Sequence, residues 1–167
     1  MDLIRCACLT LSRLCLAGWF CASVLFVVTT VQEIGSPQIE ALTKSHLADL
    51  RFPIYYDFGF ALLITGLLTG VVGCQLSGIG KWRARTTSAL VVICLLLMVV
   101  DYFWIYATLR EMTSDPRAAR PAEFVTYHEA SMQINSLEML LALVAAAAIS
   151  WPQCQPAGSS DDEPAVE

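Results

Sequence analysis

The stretch YHEASMQINSLEMLLALVAAAAISW, residues 127–151, decides the fold. It is long and apolar enough to cross a bilayer, yet His128, Ser131, Asn135 and Glu138 interrupt it at offsets of three, seven and ten residues from the first. At about 100° per residue these side chains fall within an arc of roughly 80° on one side of a helix. Such a stripe among lipid tails would be costly, so it is expected to face other helices, a water-filled cavity or a ligand.

Working outward, three further apolar stretches fill most of the chain, at residues 9–31, 53–76 and 86–109. The chain has 167 residues, of which 56% are hydrophobic and only 15% charged. With a mean hydropathy of +0.60 these values place it in the membrane class and leave no room for a separate soluble domain. The expected architecture is an all-α, polytopic membrane protein: a four-transmembrane-helix bundle over residues 1–151, with a short amphipathic helix in the first outer loop. The first apolar run is longer than a signal-peptide core and no small-x-small cleavage site follows it, so it reads as a retained signal anchor. Gly73, Gly78 and Gly80 loosen the end of the second span, Pro116 and Pro121 interrupt the segment after the third, and Trp151-Pro152 ends the fourth.

Basic residues are retained on the cytoplasmic side of a membrane, which sets the expected orientation. Lys81, Arg83 and Arg85 fill the short second connection without an acid, and Arg5 and Arg13 flank the first span on the same side. The other two connections mix bases with acids. Both termini are therefore expected to be cytoplasmic, in an inner or plasma membrane. Tyr55, Tyr56, Tyr102, Trp104, Tyr106 and Tyr127 would form an aromatic belt at the outer interface, and Trp82 and Trp151 would mark the inner one.

In the first outer connection, Ser36-Pro37 is a good helix start, after which Ile39, Leu42, Leu47 and Leu50 fall near one face and Glu40 and Lys44 could pair. Beyond Pro152 the composition reverses, with Ser159, Ser160, Asp161, Asp162, Glu163 and Glu167 and no base, so residues 152–167 read as a disordered acidic tail.

Packing of the spans is expected to use the second. Gly59, Gly66, Gly70 and Gly73 share an arc of roughly 60°, and Gly66-x-x-x-Gly70 allows a backbone to approach closely. The expected partner is a helix of the same chain, with the small surface of Ala142, Ala145 and Ala146 as a candidate receiver; homodimerisation through this face is the lesser reading.

In this topology the polar residues gather at one depth. Asp57 begins the second span, Asp101 lies in the outer third of the third, His128 begins the fourth and Glu138 lies nearer the midplane. The expectation is a polar cavity opening outward, floored by Glu138 and walled by Asn135, Ser131 and Asp101. Each group alone could equally be a hydrogen-bonded member of the helix packing. Together they make a candidate ligand or ion pathway of His128, Ser131, Asn135, Glu138, Asp101 and Asp57. A carboxyl group taken out of water exchanges protons on different terms from one at a surface, and histidine titrates near neutral pH, so a proton or cation pathway suits the set. A metal site is left undetermined, since one histidine with scattered acids is a weak donor set.

Other classes lack their signatures. The seven cysteines, Cys6, Cys8, Cys15, Cys21, Cys74, Cys94 and Cys154, contain no C-x-x-C and sit where disulfides are not expected. No Gly-rich phosphate loop, nucleophile elbow or H-E-x-x-H occurs, so nothing supports an enzyme, and no cofactor is implied. The acidic balance, a net charge of −5, argues against nucleic-acid binding. The lipid bilayer, another copy of the chain or a membrane partner subunit remain as partners.

Phe52-Pro53-Ile54-Tyr55-Tyr56 before a Gly-rich span, Tyr102 through Arg110 closing the third, and Tyr127-His128-Glu129-Ala130-Ser131 followed by Ile134-Asn135 open onto a resemblance. The chain resembles a bacterial four-helix membrane domain of unknown function related to transmembrane protein 205-like proteins, over nearly its whole length. In that family a histidine, a serine and an asparagine open the last helix in this order, which implies a shared polar motif at His128, Ser131 and Asn135. The stretch Asp101-Tyr102-Phe103-Trp104-Ile105-Tyr106 departs from the family's more apolar, often proline-bearing sequence, so the resemblance assigns nothing to Asp101. It implies a fold and a motif, without an activity.

Two functions follow from the residues: an ion-handling or small transport protein whose outward cavity takes a proton, cation or small polar molecule, and a structural or accessory subunit whose stripe only locks the helices. A four-helix redox protein holding quinone or haem stands behind both.

Overall fold

Runs of Leu, Val, Ala and Ile too apolar for water satisfy their backbone hydrogen bonds most simply by coiling, and the chain is helical over all four of its apolar stretches. The computed structural model describes residues 2–77, 80–115 and 118–151. Over these the elements are α1 (Asp2–Gly35), α2 (Ala41–Ser77), α3 (Lys81–Val100), a π-helical segment (Asp101–Tyr106), α4 (Ala107–Met112) and α5 (Glu123–Ser150). The third to fifth run without a break, so the described residues contain four rods long and apolar enough to cross a membrane: α1, α2, Lys81–Met112 and α5. The acidic tail from Pro152, with Cys154, and the breakers Gly78 and Pro116 lie outside the described residues.

The rods pack in the order α1, α2, α3, α5, and α5 closes the ring against α1. Inward-facing positions step by three and four along each rod. In α1 they are Leu9, Ser12, Leu16, Trp19 and Ser23, and in α3 they are Thr87, Val91, Cys94 and Met98, continued by Asp101 and Ile105. The opposite faces expose Leu25, Val28, Leu68, Leu96 and Leu140. An outer surface this apolar suits hydrocarbon rather than water, and it makes the chain a candidate multi-pass membrane protein.

The glycine face of α2 is filled by α1. A Cβ on Gly59 would lie 2.6 Å from the Trp19 ring, one on Gly70 2.8 Å from Ser12 Oγ, and one on Gly73 2.9 Å from Leu9. Gly66 faces Cys15 and Leu16, and its carbonyl accepts a 2.8 Å hydrogen bond from Ser12 Oγ. Close approach of two backbones, joined by a hydroxyl, replaces the hydrophobic drive that lipid removes. The small surface of α5, expected as the receiver, is buried elsewhere in the core: Ala142 and Ala145 belong to a helix that packs chiefly on α3 and α1.

Each end of the bundle is tied by basic side chains. Where α1 begins and α5 ends, Arg13 Nε donates to the Ile149 carbonyl (3.2 Å) while Arg83 donates to those of Ala148 (3.0 Å) and Trp151 (2.6 Å). The last carbonyls of α5 have no intrahelical donor, and guanidinium groups also favour the negative end of the helix dipole. At the other end, called outer in keeping with the basic-residue bias, Arg51 pairs with Glu33, donates to Thr29 Oγ1 (2.8 Å) and lies over the Phe26 ring.

These outer ties explain a difference from expectation. The residues after Ser36-Pro37 do not form a separate amphipathic helix: the helix starts at Ala41 and continues through Pro53 as α2. Pro53 removes one donor from the ladder, while Arg51 anchors this portion to the end of α1. Lys44 does not pair with Glu40; its ammonium donates to the Ile34 carbonyl (2.7 Å) and caps α1.

Candidate functional site

The face of α2 that carries Gly59 continues one turn earlier as Tyr55 and Tyr56, and both tyrosines are buried. Their rings sit among Trp19 and Phe26 from α1, Phe52 from α2, and Tyr102 and Tyr106 from the π segment, with centroids 4.2–5.5 Å apart. Tyr55 and Tyr56 are therefore not members of an outer belt. Of the other residues expected there, Trp104 and Tyr127 are exposed, whereas Tyr102 and Tyr106 are half-buried in the same ring cluster.

Beneath the rings the two hydroxyls enter a polar network. The Tyr56 hydroxyl donates to Asp101 Oδ2 at 2.7 Å, and the Tyr55 hydroxyl donates to Asn135 Oδ1 at 2.9 Å. Asn135 Nδ2 in turn donates to Asp101 Oδ2 at 3.0 Å and to the Ser131 carbonyl, also at 3.0 Å. Chemistry orients this amide: an ionised Asp101 can only accept, so Asn135 turns its nitrogen to it and its oxygen to Tyr55. Ser131 adjoins the same carboxyl group. On the far side, Ser23 Oγ lies 3.5 Å from the Tyr55 hydroxyl and donates to the Trp19 carbonyl at 2.9 Å. Ser23, the tyrosine pair, Asp101 and Asn135 thus give the network a member from each of the four rods.

Glu138 completes the set without joining the hydrogen bonds. It lies one turn below Asn135 on α5, close enough to Asp101 for the two acids to repel, while its backbone carbonyl accepts from Cys94 Sγ at 3.7 Å. Asp101 is 1% exposed and Glu138 2%. Among the described residues, Asp101 Oδ1 and Glu138 Oε1 are buried without a hydrogen-bond partner. Two buried carboxyl oxygens left in this way are unusual, because such an atom forfeits its hydration without recompense. No base acts on either group among the described residues.

Of the residues singled out from the sequence, the structure brings together Ser131, Asn135, Glu138 and Asp101 and leaves out two. His128 is exposed and stacks on Phe124, with ring centroids 5.7 Å apart. Residues 125–129 are all exposed, so His128 points away from the network although it keeps the angular register of Ser131. Asp57 is exposed as well, since burial of Tyr55 and Tyr56 turns the next position outward. The groups expected to wall an outward-opening cavity are packed against one another instead. A small cleft does occur elsewhere, between α2 and α3, lined by Gly66, Gly70, Cys74, Thr87 and Val91, with space for no more than about one water.

Tyr55, Tyr56 and Ser23 were missing from the expected site. Each had a signal: the tyrosines extend the glycine face by one step of three or four, and Ser23 extends the Ser12, Leu16, Trp19 series in the same way. The π segment, Asp101 to Tyr106, had none in periodicity. Such irregular turns often sit at functional sites.

Comparison of the chain with protein-family models, with curated proteins and with solved structures finds no match.

Proposed function

We propose that the chain is a multi-pass protein of an inner or plasma membrane, with both termini cytoplasmic, in which Asp101 and Glu138 together bind and release a proton in the outer half of the bilayer. The observation that carries the reading is the pair itself: two nearly unexposed carboxyl groups from different rods, each with an unpartnered oxygen and with no base acting on it among the described residues. Two charges of one sign cannot be held there cheaply, and a bound proton removes one of them. Of a proton, a cation and a small polar molecule, the proton alone needs no cavity. Membership of the four-helix family is proposed on the same residues as the resemblance, and it leaves this activity to the site.

The test is infrared spectroscopy of the reconstituted full-length protein as the medium is taken from acid to alkaline. A carboxyl band that titrates in the wild type should be diminished in Glu138→Gln and in Asp101→Asn, with both variants still helical. An undiminished band in both would refute the assignment.

A second reading is supported by the membership of all four rods in the network: a structural or accessory subunit whose polar groups fix helix packing. It is favoured if the wild type shows no titrating carboxyl band while Asp101→Asn lowers the unfolding temperature.

A further inference from the structure

Tyr106 ends the π segment that Asp101 begins. Its hydroxyl is buried and has no partner among the described residues. The ring packs on Tyr56 (5.3 Å), whose hydroxyl holds Asp101, and stacks between Phe52 (5.5 Å) and Tyr102 (5.8 Å). Asp49 of α2 and Arg110 of α4, both exposed, act on the phenol electrostatically. The phenol thus feels charged groups exposed at the outer end of the bundle and packs on the ring whose hydroxyl reaches the buried acid.

The backbone makes this alignment. Five residues apart on an α-helix, Asp101 and Tyr106 would point about 140° away from each other. A π turn bonds residues five apart, as the Ala107 amide does to the Tyr102 carbonyl, and so sets such residues nearly one above the other. A short π segment, held by the ring stack, brings Tyr106 over the face that carries Asp101.

We propose that Tyr106 is the outer relay through which Asp101 exchanges its proton, an inference that rests on the proton-binding reading above. In the inward step, a surface water species gives a proton to the Tyr106 hydroxyl oxygen as the hydroxyl's own proton leaves inward. One intervening water carries it to Asp101 Oδ1, the unpartnered oxygen. Tyr106 ends neutral, the carboxylate becomes a carboxylic acid, and release runs in reverse. The groups that face Asp101 are Tyr55 and Tyr56 from α2 and Ser131, Asn135 and Glu138 from α5; those that face Tyr106 are Asp49 and Tyr56 from α2 with Tyr102 and Arg110 from its own rod.

The experiment follows hydrogen–deuterium exchange of the titrating carboxyl band in reconstituted full-length protein after a rapid switch to D2O. Tyr106→Phe deletes one unpartnered oxygen and keeps the ring stack, so the fold persists, as an unchanged unfolding temperature would show. Exchange should slow about tenfold or more while the extent of titration stays the same. Tyr102→Phe, which alters the same stack, should exchange at the wild-type rate. A wild-type rate in Tyr106→Phe, or equal slowing in Tyr102→Phe, overturns the relay and leaves the proton site standing. A wild type without any titrating carboxyl band ends both proposals.

Discussion

Asn135 shows how much one side chain can do when its two ends differ. Its oxygen accepts from Tyr55 and its nitrogen donates to Asp101, so a single amide links α2, α5 and the π segment. Asn135→Ala removes both interhelical bonds and leaves Asp101 with one donor fewer. A loss of about 1–3 kcal/mol is expected, read from unfolding in detergent. His128→Ala should change stability by less than about 0.5 kcal/mol, because the ring is exposed and stacks on Phe124 of its own helix. Equal losses in the two variants would mean that the network does not hold the rods together. The sequence put both residues on one stripe; it distinguished neither, because angular register says which face a residue shares and not whether a neighbour reaches that height.

At the scale of the element, the α1–α2 pair is set by what glycine leaves out. Gly59→Ala would press a methyl group into the Trp19 ring and the Met98 methyl, 2.6 and 2.7 Å away, in a core with little room to yield. Overpacking of this kind costs about 1–3 kcal/mol. Gly35→Ala meets nothing within 4 Å at the end of α1 and is expected to be neutral or slightly stabilising. Thermal unfolding of the two variants side by side checks the contrast, and equal effects would show that close approach is not what holds the pair. The glycine arc was legible in the sequence as a packing face. Its receiver was not, since Ala142 and Ala145 are as small as the partner required and only the order of rods around the ring gives the face to Leu9, Ser12, Leu16 and Trp19.

At the scale of the whole molecule, the two ends of the bundle are unlike. Arg13 and Arg83 close the carbonyl end of α5, while Arg51 and Lys44 tie α2 to the end of α1. The bases behind the expected orientation therefore also serve the fold, which makes that orientation open to experiment. Reporters fused to the two termini should both read cytoplasmic, and one inserted between Gly35 and Ala41 should read the opposite side. Termini on opposite sides would mean that one of the four rods does not cross.

The sequence by itself determined the four helical rods, their apolar outer faces and a polar stripe at Ser131, Asn135 and Glu138 at the depth of Asp101, because length, composition and helical period are local properties of the chain. It could not say that the tyrosine hydroxyls meet Asn135 and Asp101, that α1 fills the glycine face, that one helix runs through Pro53, or that the backbone loosens into a π turn at Asp101. Those outcomes depend on which rods become neighbours, and the competition among buried hydroxyl, amide and carboxyl groups for partners is settled only when the rods meet.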